Sequence, residues 1–200
     1  MNKTLYVGEI TLGNKVIMSD PGYDIDGGVL VTDIEPGKYF CSVRKDDNYN
    51  RNAYVVAVHE HFYRPNMKDL WVTPADVVES FGKRGIRCEN GCDIGVDSGQ
   101  AGIYDYDEFI NHEKERDYNN TEHWYRQVCE TMDGKDRAGI INGKGVTSSS
   151  GWGDGCYYSY ILSLYNPLSK RNQKFAFLID FMMYDEEDEE EDEFDEEDDD

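Results

Sequence analysis

Short runs of β-branched and aromatic residues, each closed by glycine, proline or asparagine, fill most of this chain and exclude an all-helical fold. Residues 4–10 and 15–19 flank Leu12-Gly13-Asn14, which predicts a hairpin. Residues 28–34 and 38–44 flank Glu35-Pro36-Gly37, whose Pro-Gly chemistry predicts a second reversal. Within 53–62, Tyr54-Val55-Val56-Ala57-Val58-His59 has the unbroken apolar character of a central strand. Later, 138–142 and 145–149 surround Asn142-Gly143-Lys144, and 156–165 and 174–184 surround Asn166-Pro167-Leu168-Ser169, giving two further hairpins. Tyr158, Tyr160, Leu162 and Leu164 alternate with Tyr157, Ser159, Ile161 and Ser163, so one face belongs to the core and the other is half-exposed. No long helical pattern separates the early strands, which favours antiparallel meanders over βαβ units.

The middle of the chain changes period. Thr73-Pro74 before Ala75-Asp76-Val77-Val78-Glu79-Ser80 predicts a single short helical turn. Asp105-Tyr106-Asp107-Glu108 opens a short helix with an aspartate cap. Asn120 or Thr121 caps 122–132, where Trp124, Val128 and Met132 share one face, and Asp133-Gly134 ends it. The expectation is a mainly β (α+β) chain: an antiparallel, sandwich-like single domain over 1–184 with one or two inserted helices.

Charge separates that body from its end. Residues 185–200 are all Asp or Glu except Phe194, and without them the net charge of −22 falls to −7. A like-charge block buries too little apolar area to offset its ordering entropy, so 185–200 is expected to be a disordered acidic tail. It either keeps the protein soluble and repels nucleic acid, or it is an arm that docks on a basic protein partner with Phe194 as anchor. Direct nucleic-acid binding by the body is not expected, because no basic stripe interleaves with aromatics. The N-terminus lacks the apolar region of a signal peptide, and no stretch approaches a membrane span. Five cysteines without scaffold spacing suggest reduced thiols and a cytoplasmic location.

Three glycine- and aspartate-rich segments carry the candidate chemistry: Ser19-Asp20-Pro21-Gly22-Tyr23, Val96-Asp97-Ser98-Gly99-Gln100-Ala101-Gly102 and Ser150-Gly151-Trp152-Gly153-Asp154-Gly155. Asp20, Asp97 and Asp154 could cluster around a divalent cation, with Ser98 and Gln100 completing an oxygen shell. Aspartate and serine beside glycine also satisfy their own backbone in turns, with no ligand. Tyr23 and Trp152 add rigid contact area with polar tips, which suits a ligand-binding surface and equally suits strands.

These segments resemble an uncharacterised domain family of bacterial and bacteriophage proteins. Its members carry, in this order, Asp-Pro-x-Tyr, Val-Asp-Ser-Gly-Gln-Ala-Gly before an aromatic and acidic stretch, and Ser-Gly-x-Gly-Asp-Gly. The resemblance runs from Lys3 to about Phe181 and implies that the three segments belong together; it implies no activity. Cys156 stands where the family has a small residue, and the acidic tail is outside its pattern.

Other constellations are weaker. His59-Glu60-His61 closes a strand with both imidazoles on one face, as a transition-metal pair would need. Cys88 and Cys92 form a lone C-x₃-C without the second pair zinc requires. Cys156, with His59 or His123 as base, has the types of a thiol nucleophile but opens a strand rather than a helix. Residues 139–145 place lysine after glycine without the spacing of a phosphate loop. The sequence therefore favours a non-enzymatic interaction protein of the bacterial or phage conflict type, immunity-like or host-directed, needing no cofactor. The alternative is a metal-assisted hydrolase or small-ligand-binding protein centred on Asp20, Asp97 and Asp154.

Overall fold

A computed structural model of the chain describes residues 4–23, 25–46, 48–67, 71, 73–81, 86–90, 93–114 and 124–181. The acidic tail, His123, Cys92 and the candidate caps Asn120 and Thr121 lie outside the described residues, as does the side chain of His112. Twelve strands are present: β1 (Thr4–Leu12), β2 (Lys15–Ser19), β3 (Val29–Thr32), β4 (Gly37–Lys45), β5 (Asn52–His59), β6 (Ile86–Asn90), β7 (Ile94–Val96), β8 (Gln100–Asp105), β9 (Ala138–Ile141), β10 (Gly145–Ser149), β11 (Gly155–Asn166) and β12 (Arg171–Asp180). Three α-helices accompany them: α1 (Pro74–Ser80), α2 (Tyr106–Lys114) and α3 (Trp124–Met132). The fold is mainly β, as the sequence suggests, with the turn expected after Thr73 drawn out into α1. Its capping box explains the extension: Asp76 N donates to Thr73 Oγ1, and the Asp76 carboxylate accepts from Thr73 N at 2.7 Å.

The strands form two antiparallel sheets. One runs β1-β4-β5-β12-β11-β6, with β7 also on β11; the other runs β3-β2-β8-β10-β9. Between them lies a continuous core that includes Val16, Met18, Tyr39, Val43, Val55, Ala101, Ile103, Val146, Ile161, Phe177 and Ile179. Period-2 alternation sends the next residues outward. Tyr54, Val56, Val58 and Leu178 pack with Trp71 and with Val77 of α1 outside the first sheet. Ile17, Tyr104 and Ile141 pack with Phe109 of α2 and with Trp124 and Val128 of α3 outside the second. The result is four layers, helix–sheet–sheet–helix. β5 is buried along its whole length for this reason, which accounts for its unbroken apolar run.

Two expected hairpins are corrected. β1 pairs with β4, whereas β2 pairs with β3 and β8, so Gly13-Asn14 is a corner between sheets. A two-residue hairpin needs positive φ, and neither Gly13 nor Asn14 has it. Instead Gly13 N donates to Asp105 Oδ2 at 2.7 Å. Glu35-Pro36-Gly37 likewise carries the chain from β3 across to β4: Glu35 N donates to Lys174 O at 2.9 Å, and Ile34 bridges Lys174 in parallel. The two later hairpins form as expected. Asn142 and Gly143 have φ of 51° and 64°, and Lys144 N donates to Ile141 O, a type I′ turn. β11 and β12 pair from Asn166↔Arg171 back to Tyr158↔Asp180. No helix among the described residues is long and apolar enough to cross a membrane.

Candidate functional site

The three glycine–aspartate segments meet at one end of the sandwich. The first follows β2, the second joins β7 to β8, and the third joins β10 to β11. Because β2 and β10 are the two neighbours of β8, the topology brings all three loops together. Asp20, fully buried, ties the first to the second. Its Oδ1 accepts from Gly22 N at 2.6 Å and from Ser98 Oγ at 2.8 Å. Its Oδ2 accepts from Asp97 N at 2.8 Å and from Ser98 N at 2.7 Å. The second and third segments are joined by Ser150 N donating to Gly99 O at 3.1 Å, and by the β7–β11 ladder with Val96 opposite Gly155. Within the third, Ser150 Oγ and the Tyr157 hydroxyl both donate to Gly153 O, at 2.6 and 2.8 Å.

Asp20, Tyr23, Asp97 and Ser98 line one open concavity of about 230 Å³ with Gly22 and Tyr125. Tyr125, which sequence reasoning missed, comes from α3; it neighbours Trp124 but lies off the apolar stripe that marked the helix. Asp97 and Asp154 are both exposed and flank the last ladder pair, Val96 and Gly155. Partial burial, followed by the charges of Asp97, Asp20 and Asp154, raises the Tyr23 phenol above its ordinary pKa. That phenol stays protonated, a neutral donor among carboxylates.

Gln100 and Trp152 are placed differently from the concavity. Gln100 is buried on β8, its Nε2 3.8 Å from Cys129 Sγ of α3, and its Oε1 has no partner among the described residues. Trp152, half-exposed, stands on the third loop with the Arg51 guanidinium 4.7 Å from its ring centroid and Tyr49 at 5.2 Å. Arg51 also donates to Gly151 O at 3.3 Å. Asp46 Oδ1 accepts from Asn48 N and Tyr49 N, which holds Tyr49 beside the indole. This platform joins residues a hundred positions apart, and no local pattern marks it.

His59 is used internally. His59 Nδ1 accepts from His61 N at 3.2 Å, and its ring stands edge-on to Tyr39 at 5.1 Å. Burial lowers its pKa, against the opposing pull of the Pro36 carbonyl. β5 ends at His59, and the turn that follows still brings the two imidazoles together, edge-on with ring centres 4.8 Å apart. Cys156 is exposed and pairs opposite Gly95 in the β7–β11 ladder, while Cys88 is exposed on β6. Among the described residues no three His, Cys, Asp or Glu side chains are grouped to hold a metal ion.

The fold and the cluster together define a four-layer β sandwich with a loop-built acidic and aromatic concavity at one end. Compared with protein-family models, curated proteins and solved structures, the chain matches none.

Proposed function

We propose that this chain is a non-enzymatic binding protein, of the immunity-like or host-directed kind, whose loop cluster recognises a basic protein partner. The single observation that carries the reading is Asp20. Two donors reach each of its oxygens at 2.6–2.8 Å, so the carboxylate best placed to hold a cation or activate a water is engaged as a clasp. A cation there would have to displace inward-pointing N–H groups whose positive ends repel it.

The outward chemistry then belongs to Asp97, Asp154, Tyr23, Tyr125 and Trp152. Asp97 and Asp154 flank the last pair of the β7–β11 ladder, and the charges of both raise the pKa of the Tyr23 phenol. A guanidinium or ammonium group brought up to these exposed carboxylates gains charge-assisted hydrogen bonds. The net charge of −7 on the body favours encounter with the same class of partner.

The test is titration of the full chain with short peptides that differ only in a central Arg, Lys, Glu or Ala, read at the amide signals of Ser98, Gly99 and Gly153. Arg and Lys peptides should shift these signals, and Asp97→Asn should abolish the response. Equal responses to all four peptides, or none, would refute the proposal.

A further inference from the structure

A second concavity lies on the opposite layer of the molecule, remote in the fold from the loop cluster. It is a groove of about 490 Å³ on the outer side of the seven-stranded sheet. Phe62, Met67, Phe81 and Leu164 supply its partly buried apolar lining, and His61 and Arg64 stand exposed on it. The lining is braced from beneath: Phe62 stacks on the fully buried Phe175 at 4.0 Å, and Phe81 meets the same ring edge-on at 5.3 Å. Arg87 of the neighbouring β6 pairs with Ser163 rather than Leu164, so it lies on the other face of the sheet and does not border the groove. An apolar recess with a guanidinium on its rim calls for an aromatic side chain set among carboxylates.

One segment of the chain has that composition. We propose that the acidic C-terminal segment docks in this groove, with Phe194 seated against Phe62, Met67 and Phe81 and the flanking carboxylates facing Arg64 and His61. Phe194 is the single apolar residue among the last 16, and Glu193 and Asp195 adjoin it. Reach is sufficient. Phe181 N bonds Ala53 O at the start of β5, whereas the groove lies just beyond the end of β5 at His59. That strand spans roughly 20 Å at about 3.3 Å per residue, and the 13 residues from Phe181 to Phe194 extend up to about 43 Å. Charge selects the site as well. The body is net negative without the tail, so a segment with 15 acidic residues is repelled from most of the surface and held where an exposed guanidinium borders apolar area. Docked there, the tail is occupied by its own chain, and a basic partner must compete with the groove to engage it.

The experiment places p-benzoylphenylalanine at position 194 of the full chain and irradiates an equal mixture of isotopically heavy and light protein. Digestion and mass spectrometry then locate the adduct. The expected adduct joins position 194 to peptides containing Phe62, Met67 or Phe81 within one chain, with Met67 foremost because C–H bonds beside sulfur react readily. Its yield should fall about fivefold or more in 1 M salt, where the screening length shrinks to about 3 Å. Arg64→Glu should do the same, and His61→Glu, which sets a carboxylate on the same rim, gives an independent test should the first variant fold poorly. Adducts joining a heavy to a light chain would assign the groove to a second copy and overturn the proposal. Adducts elsewhere on the body, no adduct at all, or yields indifferent to both substitutions would overturn it too.

Discussion

Replacing Asp20 by asparagine tests whether the loop cluster is organised by one buried carboxylate. The side chain is fully buried and accepts four hydrogen bonds, three from backbone N–H groups and one from the Ser98 hydroxyl. An asparagine of the same shape keeps one oxygen and presents an NH₂ at the other position. With its oxygen toward Asp97 N and Ser98 N, its NH₂ opposes Gly22 N–H, and only the serine hydroxyl can reorient to accept. The reversed orientation sets the NH₂ against two backbone donors. The better orientation therefore loses one charge-assisted bond, weakens the remaining ones to neutral strength and leaves a buried donor facing a donor. At about 1.5–3 kcal/mol for a bond to a charged group, and about 1–3 kcal/mol for a buried unsatisfied donor, the loss comes to roughly 3–5 kcal/mol. For a chain of this length that corresponds to a fall in melting temperature of about 6–20 °C. Urea unfolding measures the stability, and amide hydrogen exchange measures its location: the Asp97 and Ser98 amides should lose protection first. A change below about 1 kcal/mol, with Ser98 still protected, would refute the clasp.

Three further outcomes follow from the same geometry. In Gly102→Ala, a β-carbon would collide with the Tyr104 hydroxyl and with Val146 O, which is backbone and cannot step aside; the loss should reach the upper part of the about 1–3 kcal/mol range for overpacking, read as a lower urea midpoint. Burial holds His59 below its ordinary pKa, so the unfolded chain protonates first as pH falls. Its contribution is full above about pH 6.5 and is lost as pH drops from there toward the lowered folded value. The urea midpoint of wild type should therefore decline relative to His59→Gln between pH 7 and 5, and parallel curves would contradict it. Finally, millimolar calcium or magnesium should leave the melting temperature unchanged, since the donors around Asp20 already occupy its lone pairs; a rise abolished by Asp97→Asn would restore the metal reading.

Some reversals and helix starts were legible from local chemistry. Asn142-Gly143 supplies the two positive φ values of a type I′ turn, and Thr73 with Asp76 supplies a capping box. β8 was not legible as a strand. Its Gln100-Ala101-Gly102 stretch reads as loop, yet it is the middle strand of the second sheet, where a glycine gives the Tyr104 hydroxyl room to lie against the backbone. The meeting of the three loops was foreshadowed only by resemblance, while the contributions of Tyr125 and Arg51 had no local signal.

By itself the sequence determined most of where the chain runs straight, where it reverses and which runs are apolar on both faces, because those properties depend on residues a few positions apart. Tertiary structure decided which sheet each strand joins. Gly13-Asn14 and Glu35-Pro36-Gly37 turn the chain, but the pairing of β1 with β4 in one sheet and of β2 with β3 in the other makes each turn cross between sheets. It also decided the use of Asp20. A buried aspartate beside glycine can cap a turn or ligate a cation, and only the arrival of Asp97 N, Ser98 N and Ser98 Oγ from 77 and 78 residues away makes it a clasp between loops.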